Sequence, residues 1–349
     1  MPETNDYDPG AWTSHGSFTD ARKAYDSHAG RSYADAKTAG VKATSCVPDA
    51  IVATATRPLV VACDVTGSMG EWPAVMFSKL PYLDIEGKSY LGPDMQISFM
   101  AVGDVMSDQY PLQVQPFGSG PDELPKALKN LIIEGGGGGN QMESYDVAAL
   151  YCARNVMMPN VKPDAKPIMI FIGDEGLQSE IEKRHAKMAN VTLKDYTISV
   201  RDVFEELKRK FSVYIVRKEY SRNEAKIQAQ WVTMLGANHV IPLEDPNRIV
   251  DVIFGILAGE TNQLAYFTAE ITSRQTPEQV KTVFESLKSA HFKLPLKGSE
   301  VRPKPLDETA KGPLDNKASS TVDPIDPRKS VTLGLTGGKK SVHLLGGKK

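Results

Sequence analysis

Short apolar runs alternate with amphipathic stretches along most of this chain, from Arg57 onward. Apolar runs of four to eight residues predict strands, and amphipathic stretches predict helices. The predicted strands are Pro58–Asp64, Met95–Val102, Leu112–Phe117, Pro167–Gly173, Phe211–Arg217 and His239–Leu243. The predicted helices are Glu71–Leu80, Pro121–Ile132, Tyr145–Met158, Val200–Lys210, Asn223–Leu235 and Pro246–Gly259. Nearly continuous apolar strands separated by helices indicate an α/β fold with a parallel sheet covered on both faces.

One strand breaks the alternation. Leu112–Phe117 follows Met95–Val102 after a short polar link, which is too short for a helical crossover and favours an antiparallel edge strand.

The segment before the first strand has a different composition. Residues 1–55 are rich in Ala, Ser, Thr, Asp and Gly with few large apolar side chains, so we expect a polar, largely disordered arm there. The folded domain is expected over residues 56–262.

The C-terminal part divides into two further segments. Residues 263–292 are expected to form a helical extension, because Val283 and Leu287 belong to an apolar stripe at helical spacing within Pro277–Ala290. Residues 293–349 contain six prolines and 12 basic against 6 acidic residues. That composition predicts a disordered basic tail.

Composition narrows the class of protein. The 41 basic and 43 acidic residues give a net charge of −2, which argues against a nucleic-acid coat, and only weak nucleic-acid binding through the basic tail is expected. Three cysteines without CxxC spacing fit a reducing, cytoplasmic compartment. The first residues lack the features of a secretory signal, and no run of about 18 apolar residues occurs, so no membrane span is expected.

A candidate cation site follows the first strand. Asp64 ends the strand, and Thr66 and Ser68 follow at alternate positions, with Gly67 permitting a tight bend between them. Ligands of open α/β sheets bind at the carboxyl ends of the strands. A carboxylate with two hydroxyls is a hard oxygen set, which suits Mg²⁺, Mn²⁺ or Ca²⁺ and not Zn²⁺.

Two later loops carry oxygen ligands of the same kind. Asp174 directly follows the strand that ends at Gly173, and it reaches the same edge if the two strands are neighbours. Between the two strands lies a run of five glycines followed by Asn140, Gln141, Met142, Glu143 and Ser144. Asn140, Glu143 and Ser144 are the oxygen carriers of that loop. Consecutive glycines allow close approach to a ligand.

At these three loops the chain resembles a von Willebrand factor type A domain, of an intracellular bacterial or phage-like subgroup. The resemblance rests on Asp64-Val65-Thr66-Gly67-Ser68, on the glycine-rich loop and on Gly173-Asp174-Glu175-Gly176, and it covers roughly residues 57–260. It implies a doubly wound, Rossmann-like, mostly parallel sheet with one antiparallel edge strand. It also implies a metal-ion-dependent adhesion site.

The resemblance assigns roles to the matching residues. Thr66 and Ser68 would coordinate a divalent cation directly, Mg²⁺ above all, with Mn²⁺ or Ca²⁺ as alternatives. Asp64 would act through a water, and Asp174 matches the aspartate of the last loop. The middle loop departs from the family pattern, because no threonine stands where many members have Gly-Gly-Thr.

The missing threonine leaves several replacements open. Asn140, Glu143 or Ser144 would take its place as a ligand, or a water would. A Glu143 ligand would add negative charge to the site. The cation would then depend less on a carboxylate from an acidic partner. In adhesive relatives, such a carboxylate completes the metal shell.

The expected function is divalent-metal-dependent protein binding in the cytoplasm, without catalysis. An AAA+ ATPase or another bacterial or phage assembly is the partner that the resemblance implies. Two alternatives stay open. The first is a metal-assisted hydrolase in which Glu143 or Glu175 activates a metal-bound water. The second is a structural scaffold that binds through its tails.

Other interpretations of the first motif fit less well. Helix capping by Thr66 or Ser68 explains neither Asp174 nor the glycine run. A haloacid dehalogenase-like phosphatase needs a carboxylate where Thr66 stands. A nucleophile elbow needs a glycine two residues before Ser68, and the glycine run matches no phosphate-binding pattern.

Overall fold

A central sheet organises the part of the chain that the computed structural model describes, residues 32–136, 141–219, 223–290 and 292. In chain order the strands of the described residues are β1 Ile51–Val52, β2 Leu59–Asp64, β3 Ile97–Val102, β4 Leu112–Val114, β5 Val156–Met157, β6 Ile168–Gly173, β7 Glu180–Glu182, β8 Thr197–Ser199, β9 Ser212–Arg217 and β10 Val240–Pro242. Within these residues, six strands form the main sheet in the order β10-β9-β6-β2-β3-β4.

The strand directions confirm the expected fold class. β2 is parallel to both of its neighbours, β3 and β6, and β6, β9 and β10 are also parallel to one another. β4 pairs antiparallel with β3, with Val102 opposite Leu112. The fold is therefore a mostly parallel, Rossmann-like α/β sheet with one antiparallel edge strand. All six predicted strands are present, each shorter than predicted or equal in length.

Helices cover both faces of this sheet. In chain order they are α1 Tyr33–Thr38, α2 Trp72–Lys79, α3 Leu83–Leu91, α4 Gly120–Lys129, α5 Tyr145–Asn155, α6 Lys183–Ala186, α7 Val200–Lys210, α8 Glu224–Leu235, α9 Ile249–Glu260, α10 Leu264–Arg274 and α11 Pro277–Lys288. Along β2, Val61 and Cys63 point into the core formed with α2, α3 and α9. Val60 and Ala62 point into the opposite core with α5, α7 and α8. Burial on both faces explains the continuous apolar character of the strand.

Residues 32–55 differ from the disordered arm predicted over residues 1–55. Ser32 caps α1 through a capping box with Asp35, and Ala36 is buried against Tyr110 and Ile132. Ile51 pairs with Val156 in the short β1–β5 ladder. Small apolar residues are enough here because they fill sites that the rest of the fold has already formed. Residues 1–31, including most of the predicted arm, lie outside the described residues.

The predicted C-terminal extension, residues 263–292, packs on the domain. Phe267, Ile271, Val283 and Leu287 are buried in the same core as α9. A Cβ on Gly255 of α9 would lie 2.2 Å from the Leu287 side chain, so glycine allows α11 to pack closely there. The basic tail, residues 293–349, lies outside the described residues.

The sequence pattern did not predict α3. α3 contains a glycine, Gly87, which lowers its helix propensity. A Cβ on Gly87 would meet the Met95 sulfur at 2.6 Å, and Tyr90 of α3 packs on Phe254 with ring centroids 5.6 Å apart. Tertiary packing therefore decides this helix. Among the described helices, none is both long and apolar enough to cross a bilayer.

Candidate functional site

The carboxyl ends of β2 and β6 bring two of the predicted site residues to one edge of the sheet. The strands are direct neighbours, with Cys63 opposite Ile172. Asp64 is the last residue of β2, and Asp174 directly follows the last residue of β6. Both carboxylates are buried. Their convergence follows from two parallel strands ending side by side, as expected.

Asp64, Thr66, Ser68 and Asp174, which we call the hydroxyl–carboxylate cluster, form one continuous chain of contacts. The backbone N–H and the hydroxyl of Thr66 donate to Asp64 Oδ1 at 2.8 and 2.7 Å. The Ser68 hydroxyl donates to Asp174 Oδ1 at 2.9 Å. The two hydroxyl oxygens, Thr66 Oγ1 and Ser68 Oγ, lie 3.2 Å apart. The structure therefore places all four side chains in one site.

The hydroxyl pair is suited to a cation. A hydroxyl has one hydrogen and two lone pairs. When Thr66 and Ser68 each donate their hydrogen to a carboxylate, both hydroxyl oxygens keep lone pairs that can face a further ligand. Mg²⁺ binds oxygen at about 2.1 Å in octahedral geometry, so neighbouring ligands lie roughly 3 Å apart. The measured 3.2 Å fits that spacing.

Gly67 locks the first loop to the glycine-rich loop. Its N–H donates to the Gly136 carbonyl at 2.5 Å, and the Gly135 N–H donates to the Val65 carbonyl at 3.1 Å. A Cβ on Gly67 would lie 3.1 Å from the carbonyl oxygens of both Gly135 and Gly136. Glycine therefore allows the two backbones to approach closely, which holds the loop of Thr66 and Ser68 in place.

Tyr145, the first residue of α5, holds the Asp64 carboxylate through a hydrogen bond. Its hydroxyl donates to Asp64 Oδ2 at 2.5 Å, while its ring packs edge-on against Phe171 and Trp231. A Cβ on Gly173 would lie 1.8 Å from that hydroxyl, so the end of β6 needs glycine to make room for it. The sequence pattern identified Tyr145 only as a helix start and offered no signal of this role.

The carboxylates of this edge repel one another. Burial first, and then Asp174, raise the pKa of Asp64 to about 8. Burial also raises the pKa of Asp174. For Glu143, burial followed by repulsion from Asp64 and Glu175 raises the pKa to about 11. Because burial and mutual repulsion disfavour the ionised forms of these carboxyl groups, a nearby cation would stabilise them.

Of the three candidate ligands in the middle loop, Asn140, Glu143 and Ser144, only Glu143 is supported by the described residues. Glu143 is buried, and its N–H donates to the Gly176 carbonyl at 3.2 Å, which ties it to the loop after β6. Ser144 is engaged elsewhere, because its hydroxyl oxygen accepts from the Val105 N–H at 2.8 Å. Asn140 lies outside the described residues. Glu143 is thus the candidate replacement for the threonine that the described part of this loop supports.

Two buried glutamates at this edge keep unused acceptor capacity. Among the described residues, Glu143 Oε2 and Glu175 Oε2 have no hydrogen-bond partner. Burial and Asp174 raise the pKa of Glu175 to about 7. Its backbone is held in place, because Trp231 Nε1 donates to the Glu175 carbonyl at 2.9 Å.

Two basic residues that sequence analysis missed complete the site. Lys218 Nζ donates to the Ser68 carbonyl at 2.5 Å and lies 3.4 Å from Asp174 Oδ2. Arg217 Nη2 donates to the Asp174 carbonyl at 3.1 Å and also pairs with Glu224. Gly173 and Arg217 are opposite each other on β6 and β9, so the next residues, Asp174 and Lys218, meet at the same edge. That register is the signal that could have identified Lys218.

In the described part of the chain, no group of three or more His, Cys, Asp or Glu side chains is arranged to hold a metal ion. The hydroxyl–carboxylate cluster is of another kind, because two of its four side chains, Thr66 and Ser68, are hydroxyl residues. Its oxygen chemistry and spacing fit Mg²⁺, and Mn²⁺ or Ca²⁺ accept similar ligands.

Comparisons with known proteins are weak. No family model matches the chain, and no curated protein matches its sequence. The pilus adhesin SpaC of Lactobacillus rhamnosus GG aligns at 10% identity and a TM-score of 0.41, covering 60% of this chain and 31% of the adhesin. Proximal thread matrix protein 1 of the mussel byssus aligns at 10% identity and 0.41, covering 60% of this chain and 49% of that protein. The chain thus spans less than half the length of either, and alignments this loose carry no argument.

Proposed function

We propose that the hydroxyl–carboxylate cluster holds a divalent cation, Mg²⁺ first, and that this chain is a metal-dependent protein-binding module of the von Willebrand factor type A kind. The observation that carries the proposal is the 3.2 Å contact between Thr66 Oγ1 and Ser68 Oγ. Each hydroxyl also lies within hydrogen-bond distance of a carboxylate, Thr66 of Asp64 and Ser68 of Asp174, so hydroxyl and carboxylate oxygens together offer lone pairs to a cation. The ion would supply an open coordination position for an oxygen of the partner.

The exposure of the site favours binding over catalysis. Gly67 is exposed and Ser68 is half-buried, so an ion on Ser68 would lie near the surface. An ion in that position would be accessible to an oxygen ligand of a partner protein. A cytoplasmic partner such as an AAA+ ATPase or a phage or bacterial assembly is our proposal.

Removal of one hydroxyl tests the cation site directly. We expect Ser68→Ala to weaken Mg²⁺ binding by about 10- to 100-fold in isothermal titration calorimetry, because a ligand is lost and Asp174 loses its hydrogen-bond donor. Ser78→Ala is the matched control. Ser78 is also half-buried, but its hydroxyl donates to the Val75 carbonyl within α2. Equal Mg²⁺ affinity of the two variants would rule out the cation site.

Partner capture tests the binding function. The intact chain should retain a partner from source lysate in Mg²⁺ and release it on addition of EDTA, and Ser68→Ala should retain none. A chain ending at residue 292 should bind as the intact chain does. If removal of residues 293–349 abolishes capture while Asp64→Ala leaves it intact, the scaffold alternative is correct instead.

A hydrolase is the second candidate, favoured by the unpartnered Oε2 atoms of Glu143 and Glu175. Glu175 is the better proton acceptor for a water in the site, because its pKa is raised only to about 7, whereas that of Glu143 is raised to about 11. The binding function predicts no Mg²⁺-dependent cleavage of p-nitrophenyl phosphate or p-nitrophenyl acetate above the level of Glu175→Gln. Cleavage that disappears in Glu175→Gln and persists in Glu180→Gln, an exposed control, would establish the enzyme.

A further inference from the structure

Lys218 lies at the cation site without belonging to its oxygen ligands. Its ammonium donates to the Ser68 carbonyl and pairs with Asp174 Oδ2. The same ammonium lies 5.7 Å from the centroid of the Trp72 ring, within cation–π range. It therefore touches two members of the hydroxyl–carboxylate cluster, and an aromatic face covers another side of it.

These contacts use groups that a divalent ion would also need. Ser68 is engaged twice, through its carbonyl by Lys218 and through its hydroxyl by Asp174. Asp174 uses Oδ1 for Ser68 and Oδ2 for Lys218. The ammonium thus supplies positive charge at the buried Asp174 carboxylate when no metal is bound. A divalent ion on Ser68 would share Asp174 with it, and the two positive groups would repel each other.

Lys218 can leave this position, unlike its neighbour. Its side chain is 24% exposed, whereas that of Arg217 is 3% exposed and pairs with Glu224. A lysine ammonium is a compact charge on a flexible four-carbon stem. Arg217 is fixed between Asp174, Glu224 and Gln228, so it is a constant part of the site. Lys218, in contrast, is exposed enough for its ammonium to move away from Asp174.

We propose that Lys218 is a tethered cation that competes with the divalent ion for the hydroxyl–carboxylate cluster. This inference rests on the cation site proposed above and assigns its regulation. Lys218 stabilises the metal-free site and raises the metal concentration at which the site fills. The site then responds to changes in free Mg²⁺ or to a partner that draws the ammonium away, and it does not stay permanently occupied.

The test measures metal affinity of full-length variants by calorimetry with Mg²⁺ and by electron paramagnetic resonance with Mn²⁺. We expect Lys218→Met to bind either ion about ten-fold more tightly than the unsubstituted chain, since a repelling charge is removed. Lys218→Arg, which keeps the charge, should bind far less tightly than Lys218→Met. Circular dichroism confirms that each variant is folded.

Lys208→Met is the matched control. Lys208 also donates to a backbone carbonyl, that of Met234, and pairs with a carboxylate, that of Glu205. It lies near the end of α7, which leads into the start of β9 at the opposite edge of the sheet. Its replacement should leave the affinity for both ions unchanged.

Thermal unfolding supplies a second readout. Without metal, Lys218→Met should melt at a lower temperature than the unsubstituted chain, because Asp174 loses its counter-charge, and Mg²⁺ should raise its melting temperature by more. Weaker or unchanged metal binding by Lys218→Met would overturn this inference alone and make Lys218 a support for Asp174. Failure of every variant to bind either ion would overturn the cation site as well. If Lys218→Met binds an ion and the unsubstituted chain does not, both the cation site and the competition by Lys218 are supported.

Discussion

Asp64→Asn is expected to raise the melting temperature of the metal-free protein and to abolish its response to Mg²⁺. The carboxylate is fully buried and lies near Asp174, and both effects raise its pKa, burial most. Asparagine keeps the contacts, since its oxygen can accept from Thr66 and its amide can donate to the Tyr145 hydroxyl. It removes the buried charge that destabilises the metal-free fold and that a cation requires.

The pH dependence of this difference has a defined sign. An unfolded aspartate titrates near 3.8, and folding raises the pKa of Asp64 to about 8. Between these values the folded chain holds more protons than the unfolded chain, so the free energy of unfolding falls as pH rises. The advantage of Asp64→Asn should therefore be absent below about pH 4, grow up to about pH 8 and then level off. Chemical denaturation at several pH values, without metal, measures it.

Asp146→Asn is the control for metal binding. Asp146 is also buried and has a pKa raised to about 7 by burial, but it lies in the first turn of α5 outside the hydroxyl–carboxylate cluster. Addition of Mg²⁺ should therefore raise the melting temperature of Asp146→Asn as it raises that of the unsubstituted chain. If Asp64→Asn keeps that rise too, Asp64 is not part of a cation site.

Gly173→Ala is expected to destabilise the fold by about 3 kcal/mol, at the upper end of the cost of overpacking a core. The added methyl would lie 1.8 Å from the Tyr145 hydroxyl, and both residues are enclosed. Either β6 shifts away from α5, or Tyr145 turns and leaves Asp64 without its donor. Equilibrium urea unfolding measures the loss of stability.

A double mutant isolates the cause. Tyr145→Phe removes the colliding oxygen, although ring carbons would still lie 2.6 and 2.8 Å from the added methyl. Gly173→Ala combined with Tyr145→Phe should therefore recover part of the lost stability, with a coupling energy in the range of about 0.5–3 kcal/mol typical of contacting residues. Strict additivity of the two substitutions would show that the collision with the tyrosine is not the cause.

The strands were predictable because their physical requirement is simple. A strand covered on both faces must be apolar throughout, and runs such as Ile168–Gly173 and Leu59–Asp64 meet that requirement with no help from distant residues. Residues 32–55 were predicted as part of the polar arm, because their few apolar side chains become buried only against distant parts of the fold. The α3 helix was missed for a related reason, since Gly87 disfavours a helix that packing against Met95 and α9 stabilises.

Part of the candidate site was also predictable from the sequence. Asp64, Thr66 and Ser68 are close in sequence, and Asp174 could be added because parallel neighbouring strands end at one edge. Lys218 could have been found by the same rule, since it follows β9 as Asp174 follows β6. Tyr145 could not, because it reaches Asp64 across 81 residues from the start of a helix.

The sequence alone determined the class of fold and the candidate oxygen ligands, because the hydrophobic period and the residues that end strands are local properties of the chain. Tertiary structure alone decided the state of those ligands. It buries Asp64 and Asp174 together, places the hydroxyls of Thr66 and Ser68 within hydrogen-bond distance of them, and pairs Lys218 with Asp174. Burial, hydrogen-bond direction and counter-charge depend on which distant loops meet, and no stretch of the sequence contains that information by itself.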